Sequence, residues 1–234
     1  MFKKNLCLAL CLLFTATAFA QNVQLHYAPR HGVDPKNFSD NLMVTTLEMF
    51  KPDKWGSTFA FVDMTYGGAK GGVSSAYWEI ARDLKFWDAP VAAHIEYNGG
   101  TVEGVPGAIP NAYLVGASYS LPLGKAFMST YVAYKYHAFQ KQSNDIQWTV
   151  TWSLNLLDDK FSVVGFADLW SENKNRFKGP GEDGKKAVFL AQPQFWYNVN
   201  TNLSLGTEIE ISNEFHPITY DFYCIPTLAA KWSF

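Results

Sequence analysis

The sequence predicts an all-β protein: a transmembrane, antiparallel, up-and-down β-barrel of about twelve strands with both termini on the periplasmic side. Three observations predict it. The chain ends on a long strand of period two that finishes in aromatics. Its first residues read as an export signal, yet no later run is apolar enough for a membrane helix. Alternating segments recur throughout, joined by connections that are mostly long and short in turn.

The terminal segment runs from Tyr220 to Phe234. Every second residue gives Phe222, Cys224, Pro226, Leu228, Ala230, Trp232 and Phe234; the others are Tyr223, Ile225, Thr227, Ala229, Lys231 and Ser233. One face is apolar throughout and the other turns polar, as expected of a strand between lipid and water. Such an ending resembles the strand by which outer-membrane barrels are recognised for assembly, so the barrel assembly machinery is an expected partner. At the other end, Lys3 and Lys4 precede the apolar run Leu6 to Phe14, and Ala18-Phe19-Ala20 supplies a small-x-small cleavage pattern. Residues 1–20 are therefore expected to be a cleaved signal peptide and 21–234 a single barrel domain. Cleavage removes Cys7 and Cys11 and leaves Cys224 alone, which excludes a disulfide-stapled secreted fold.

Composition agrees. Aromatics make up 16% of the chain and mean hydropathy is −0.10, near the balance expected when strands are wetted by lipid on one face and water on the other. Formal charge is −2, with no basic stripe to suggest nucleic-acid binding.

Strands are predicted at Asn22–Ala28, Leu42–Phe50, Ser57–Tyr66, Ser75–Phe86, Val91–Asn98, Asn111–Ser120, Ala126–Ala138, Asp145–Asn155, Phe161–Trp170, Ala187–Val199, Leu203–Ser212 and Tyr220–Phe234. Most approach the ~9–11 residues that a tilted membrane strand needs. The clearest is Ile146, Trp148, Val150, Trp152 and Leu154 against Gln147, Thr149, Thr151, Ser153 and Asn155. Pro29–Asn41, Gly67–Ser74, Gly99–Pro110, Phe139–Asn144, Ser171–Lys186 and Asn213–Thr219 read as the longer outer loops. Lys51–Gly56, Trp87–Pro90, Leu121–Lys125, Leu156–Lys160 and Asn200–Asn202 read as short periplasmic turns. Trp55, Tyr66, Trp87, Tyr97, Tyr119, Tyr136, Trp170, Tyr197 and Trp232 are expected in interfacial girdles. Pro193 and Pro226 interrupt predicted strands and should each mark an irregularity, because proline cannot donate a ladder hydrogen bond.

Assigning the polar parity to the interior places Glu48, Asp63, Glu79, Glu96, Asp168, Glu208 and Glu210 inside. Lys135 and Lys231 are their expected basic partners, with His94 and His137 also inward. Gln147, Gln192, Gln194 and Asn198 add uncharged hydrogen-bonding groups, and Trp196 adds a flat surface. Asp63 shares its parity with Phe59 and Phe61, which are apolar. Two readings stand side by side: a salt-bridged polar core that conducts nothing, or a narrow acidic passage for a hydroxylated solute with a stackable ring.

The run Thr46-Leu47-Glu48-Met49-Phe50-Lys51-Pro52-Asp53-Lys54-Trp55-Gly56, followed by Phe59-Ala60-Phe61-Val62-Asp63, resembles the early strands of the nucleoside-specific channel-forming porins, the Tsx-like family. Trp78-Glu79-Ile80-Ala81-Arg82, Val132-Ala133-Tyr134-Lys135-Tyr136, Gly165-Phe166-Ala167-Asp168 and the Lys231-Trp232-Ser233-Phe234 ending are also similar, and the chain looks closest to a subgroup of uncharacterised outer-membrane proteins placed with those channels. The resemblance implies a monomeric barrel in the bacterial outer membrane that passes nucleoside-like solutes. Glu48, Asp63, Glu79, Lys135 and Asp168 carry over as lumen residues. The chain departs from the pattern in its trimmed loops and in Ala81-Arg82-Asp83.

Other readings have less support. A lipid-modifying enzyme barrel needs a Ser–His pair at the outer rim, and none of His26, His94 and His137 has a neighbouring serine at a recognisable spacing. A sealed barrel would act through outer loops such as Ser171–Lys186, where Glu172, Lys174, Arg176, Lys178, Glu182, Asp183, Lys185 and Lys186 sit among glycines. No metal or cofactor is expected, because no His or Cys cluster has ligand spacing.

Overall fold

A computed structural model describes residues 21–67, 71–140, 144–174, 184–216 and 222–234. The expected signal peptide, the loop charges Arg176, Lys178, Glu182 and Asp183, and the start of the last strand at Tyr220 lie outside the described residues.

Fourteen strand segments make one closed antiparallel barrel: β1 (Asn22–Ala28), β2 (Leu42–Asp53), β3 (Gly56–Tyr66), β4 (Val73–Leu84), β5 (Val91–Val102), β6 (Ala112–Leu123), β7 (Ala126–His137), β8 (Asp145–Leu156), β9 (Phe161–Asn173), β10 (Lys185–Ala191), β11 (Gln194–Asn198), β12 (Leu203–Asn213), β13 (Phe222–Pro226) and β14 (Leu228–Ser233). β10 and β11 are two halves of one stave, both paired with β9 and β12, and β13 and β14 are two halves of another. The result is twelve staves in sequence order. Closure comes from β14 lying between β12 and β1, with Lys231 opposite both Ser204 and Gln24. No helix among the described residues is long and apolar enough to cross a membrane, and the one short helix, α1 (Arg30–Val33), lies in the β1–β2 loop.

The strands form because period-two alternation satisfies two solvents at once. Ile146 and Trp148 point outward, 57% and 50% exposed, while Asp145, Gln147 and Thr149, which alternate with them, are buried inside. Closing the barrel pairs the backbone polar groups that an open sheet edge would leave unsatisfied in hydrocarbon. Both termini and the short turns share one end, and the longer loops share the other.

Both expected proline irregularities occur. The ladder breaks at Gln192–Pro193 between β10 and β11, and at Thr227 after Pro226. The breaks flank one segment of β12: Ile209 N donates to Pro193 O at 3.0 Å, and Thr227 N donates to Glu208 O at 2.8 Å. Gly165 on β9 permits the first break, because a Cβ there would lie 2.6 Å from Gln192 O and 2.9 Å from Pro193 Cα.

Two expectations need correction. Trp170 belongs to no girdle: it shares the inward parity of Asp168 and is 7% exposed. Strands run further into the connections than expected: β2 continues to Asp53 and pairs with Gly56, β5 continues to Val102, and β6 continues to Leu123 opposite Ala126, which narrows Lys51–Gly56, Gly99–Pro110 and Leu121–Lys125. Trp55, Trp87, Tyr119, Tyr136, Tyr197 and Trp232 are exposed, as girdle residues should be.

Candidate functional site

The register puts one parity of every strand into the lumen, and the lumen has two kinds of wall. The first is made by β5 and the parts of β6 to β9 nearer the longer loops. Glu96 is buried there and accepts hydrogen bonds from Asn98 at 2.9 Å and from the Tyr131 hydroxyl at 2.8 Å. His94 bridges two carboxylates, with Nδ1 2.9 Å from Asp83 and Nε2 3.2 Å from Glu96, and stacks on Tyr131 at 3.9 Å between ring centres. Ser118 donates to Asp83 at 2.8 Å. Lys135 donates to Gln147 at 2.7 Å and covers the Trp170 ring at 4.6 Å. Leu114, Ala112 and Ala133 fill the space beneath. Each buried polar group named here has a partner of its own, so this part of the wall tolerates burial.

The second wall is made by β2 to β4. Its inward residues are half-buried rather than buried, so part of their surface stays accessible from the interior. Glu48 accepts from Asn22 at 3.0 Å, Asp63 from the Thr46 hydroxyl, and Glu79 from the Tyr77 hydroxyl at 3.1 Å. Asp168 on β9 and Glu208 on β12 are similar, accepting from Thr149 and Gln194. These donors are neutral. Among the described residues, no ion pair within 4 Å reaches any of these five carboxylates. Glu79 lies within electrostatic reach of Glu96, Asp168 and Lys135, and Glu208 of Asp63, Glu210 and Glu48. The acidic groups thus converge across the lumen rather than along one strand.

Aromatic rings are interleaved with them. Phe59 and Phe61 on β3 are 5.7 Å apart, and Phe61 is 5.7 Å from Tyr77 on β4. Phe61 stands opposite Glu48 on one side and Glu79 on the other, and Tyr77 stands opposite Asp63. The parity of Phe59 and Phe61 looked anomalous beside Asp63 because an aqueous interior was expected to be polar. It is instead the signal for an aromatic face inside the barrel.

The remaining expected residues are spread around the lumen. Glu210 binds His216 at 2.6 Å and Ser212 at 3.0 Å near the end that carries the longer loops. Gln194 links Trp196 to Glu208, at 3.0 Å and 2.7 Å. Gln192 sits in the ladder break. Trp196 lines the interior but is 0% exposed, covered by Lys231 at 4.3 Å and by His26 at 6.0 Å, so it offers no free ring face. Lys231 is thereby held against Trp196. At the mouth, Phe38 from the β1–β2 loop packs on inward-facing Tyr223 at 5.3 Å, with Arg30 above its ring at 4.1 Å. Among the described residues, no group of three or more His, Cys, Asp or Glu is arranged to hold a metal ion.

An apolar outer shell, a closed ladder and a polar interior define a porin-type outer-membrane β-barrel. The chain belongs to the family described as a domain of unknown function, DUF5020, which matches residues 20–234. No curated protein matches it in sequence. Among solved structures it is similar to the NanC porin, with a TM-score of 0.58 at 11% identity, over 91% of this chain and 99% of that one. It is similar to the KdgM porin, with a TM-score of 0.50 at 7% identity, over 91% and 99% of the two chains. Outer membrane phospholipase A from Escherichia coli also superposes, with a TM-score of 0.53 at 11% identity, over 92% and 98%. At these identities the likeness defines the fold.

Proposed function

We propose that the chain is a passive outer-membrane channel for small polar solutes, with nucleosides as the finer reading. The observation that supports it is the unequal lumen. One wall is locked by its own hydrogen bonds, while the β2–β4 wall leaves carboxylates and ring faces in contact with water. Carboxylates accept hydroxyl hydrogen bonds and ring faces stack on flat groups, which suits a ribose carrying a base. The same carboxylates repel phosphates and other anions. In this reading the termini are periplasmic, residues 1–20 are the export signal, the last strand addresses the assembly machinery, and the barrel works as a monomer among outer-membrane lipids.

The phospholipase likeness raises a second reading, lipid chemistry at the outer wall. It finds no support in the placement of His26, His94 and His137. All three face inward and are buried, away from lipid. The test is purified protein in planar bilayers. The channel reading expects small conductance steps that adenosine reduces. Conductance unaffected by adenosine would overturn the nucleoside reading, and absence of conductance from protein with heat-modifiable gel mobility would favour a sealed barrel.

A further inference from the structure

We propose that the β2–β4 wall is a binding track for organic cations, in which an alkylammonium group is held between the rings of Phe59, Phe61 and Tyr77 and the carboxylates of Glu48, Asp63 and Glu79. Two independent observations carry it. The first is charge. The three carboxylates point inward and are half-buried, each accepts a hydrogen bond from a neutral donor, and none is reached by an ion pair among the described residues. The inward lysines sit on other groups, Lys135 on Gln147 and Trp170 and Lys231 on Trp196, and act on Glu79 and Glu48 only from beyond ion-pair distance.

The second is the use of ring faces. Phe38, Trp55, Trp170 and Trp196 each carry an intramolecular cation, from Arg30, Lys54, Lys135 and Lys231 at 4.1–4.8 Å from the ring centres. Phe59, Phe61 and Tyr77 carry none from the described residues, although they stand beside the carboxylates. Directly opposed residues on paired strands lie roughly 5 Å apart at Cβ. A compact ammonium beside Phe61 would thus lie within reach of Glu48 and Glu79 together. Ring faces attract cations through their quadrupole, most strongly when the cation sheds water easily. That favours methylated or alkylated ammonium over a hydrated metal ion, which prefers a cage of oxygens.

The proposal rests on the lumen being wet along this wall, a premise it shares with the channel reading, so its test measures binding and not conduction. Folded protein in detergent is titrated with choline and, separately, with its neutral isostere 3,3-dimethylbutan-1-ol. Choline should bind at least tenfold more tightly. The double variant Phe61→Leu/Tyr77→Leu should lose that preference, and so should Glu79→Gln, which keeps the rings; heat-modifiable mobility checks that each is folded. Equal binding of choline and isostere, no choline binding, or full choline binding by folded Glu79→Gln would overturn the proposal. Choline binding without any conductance would sink the channel reading alone. Conductance without choline binding would sink this proposal alone.

Discussion

The wall made by β5 to β8 and the wall made by β2 to β4 use the same residue types for opposite ends. Each contains inward carboxylates next to aromatic rings. On the first, Glu96 meets His94, Asn98 and Tyr131 at once and is 5% exposed. On the second, Glu79 meets a single tyrosine hydroxyl and keeps contact with the lumen. The difference teaches that burial in a barrel interior is decided by the supply of partners. Where donors saturate the carboxylate, it becomes core; where they do not, it stays wet and available to a solute.

This contrast can be broken by substitution. The largest effect is expected for Glu96→Leu, which strands three donors and should cost about 3–5 kcal/mol. Glu79→Gln should cost about 1 kcal/mol, since the Tyr77 hydroxyl keeps an amide oxygen as acceptor and loses only the charge assistance of the carboxylate. Urea unfolding in lipid vesicles reads both, and similar costs at the two sites would erase the distinction. Gly165→Ala should cost about 2–3 kcal/mol by pressing a methyl on Gln192 O and the Trp152 ring. It should also disturb the ladder break beside Glu208, visible as faster amide exchange in β11 and β12. Phe38→Ala should cost about 2 kcal/mol or less for the lost ring burial. Its clearer signature is a larger conductance step, because the ring packs on Tyr223 and Ile225 at the mouth. An unchanged step would mean that this loop does not restrict the opening.

Much of the fold was legible because alternation encodes it directly. The strand from Asp145 shows its two faces without ambiguity, and the staves fall close to the segments read from the sequence. The breaks at Pro193 and Thr227 followed from the missing proline donor. What alternation could not show was who pairs with whom across the lumen. Glu96 and Glu79 look alike in sequence, yet only register brings His94 and Tyr131 to the first. Trp196 reads in sequence as an available ring, yet Lys231 lies on it, a contact between residues 35 positions apart in number and on different staves. Trp170 reads as a girdle residue because it ends a predicted strand, although its parity with Asp168 points inward.

The central claim is that permeation follows the β2–β4 wall, and the reversal potential under a potassium chloride gradient tests it most directly. Each removed charge is worth about 0.5 kcal/mol at about 8 Å in water, roughly a twofold change in ion preference per residue. Wild-type protein should prefer potassium, and Glu48→Gln/Asp63→Asn/Glu79→Gln together should cut that preference several-fold with the step size retained. A wild-type barrel without cation preference, or a triple variant with an unchanged reversal potential, would contradict the account.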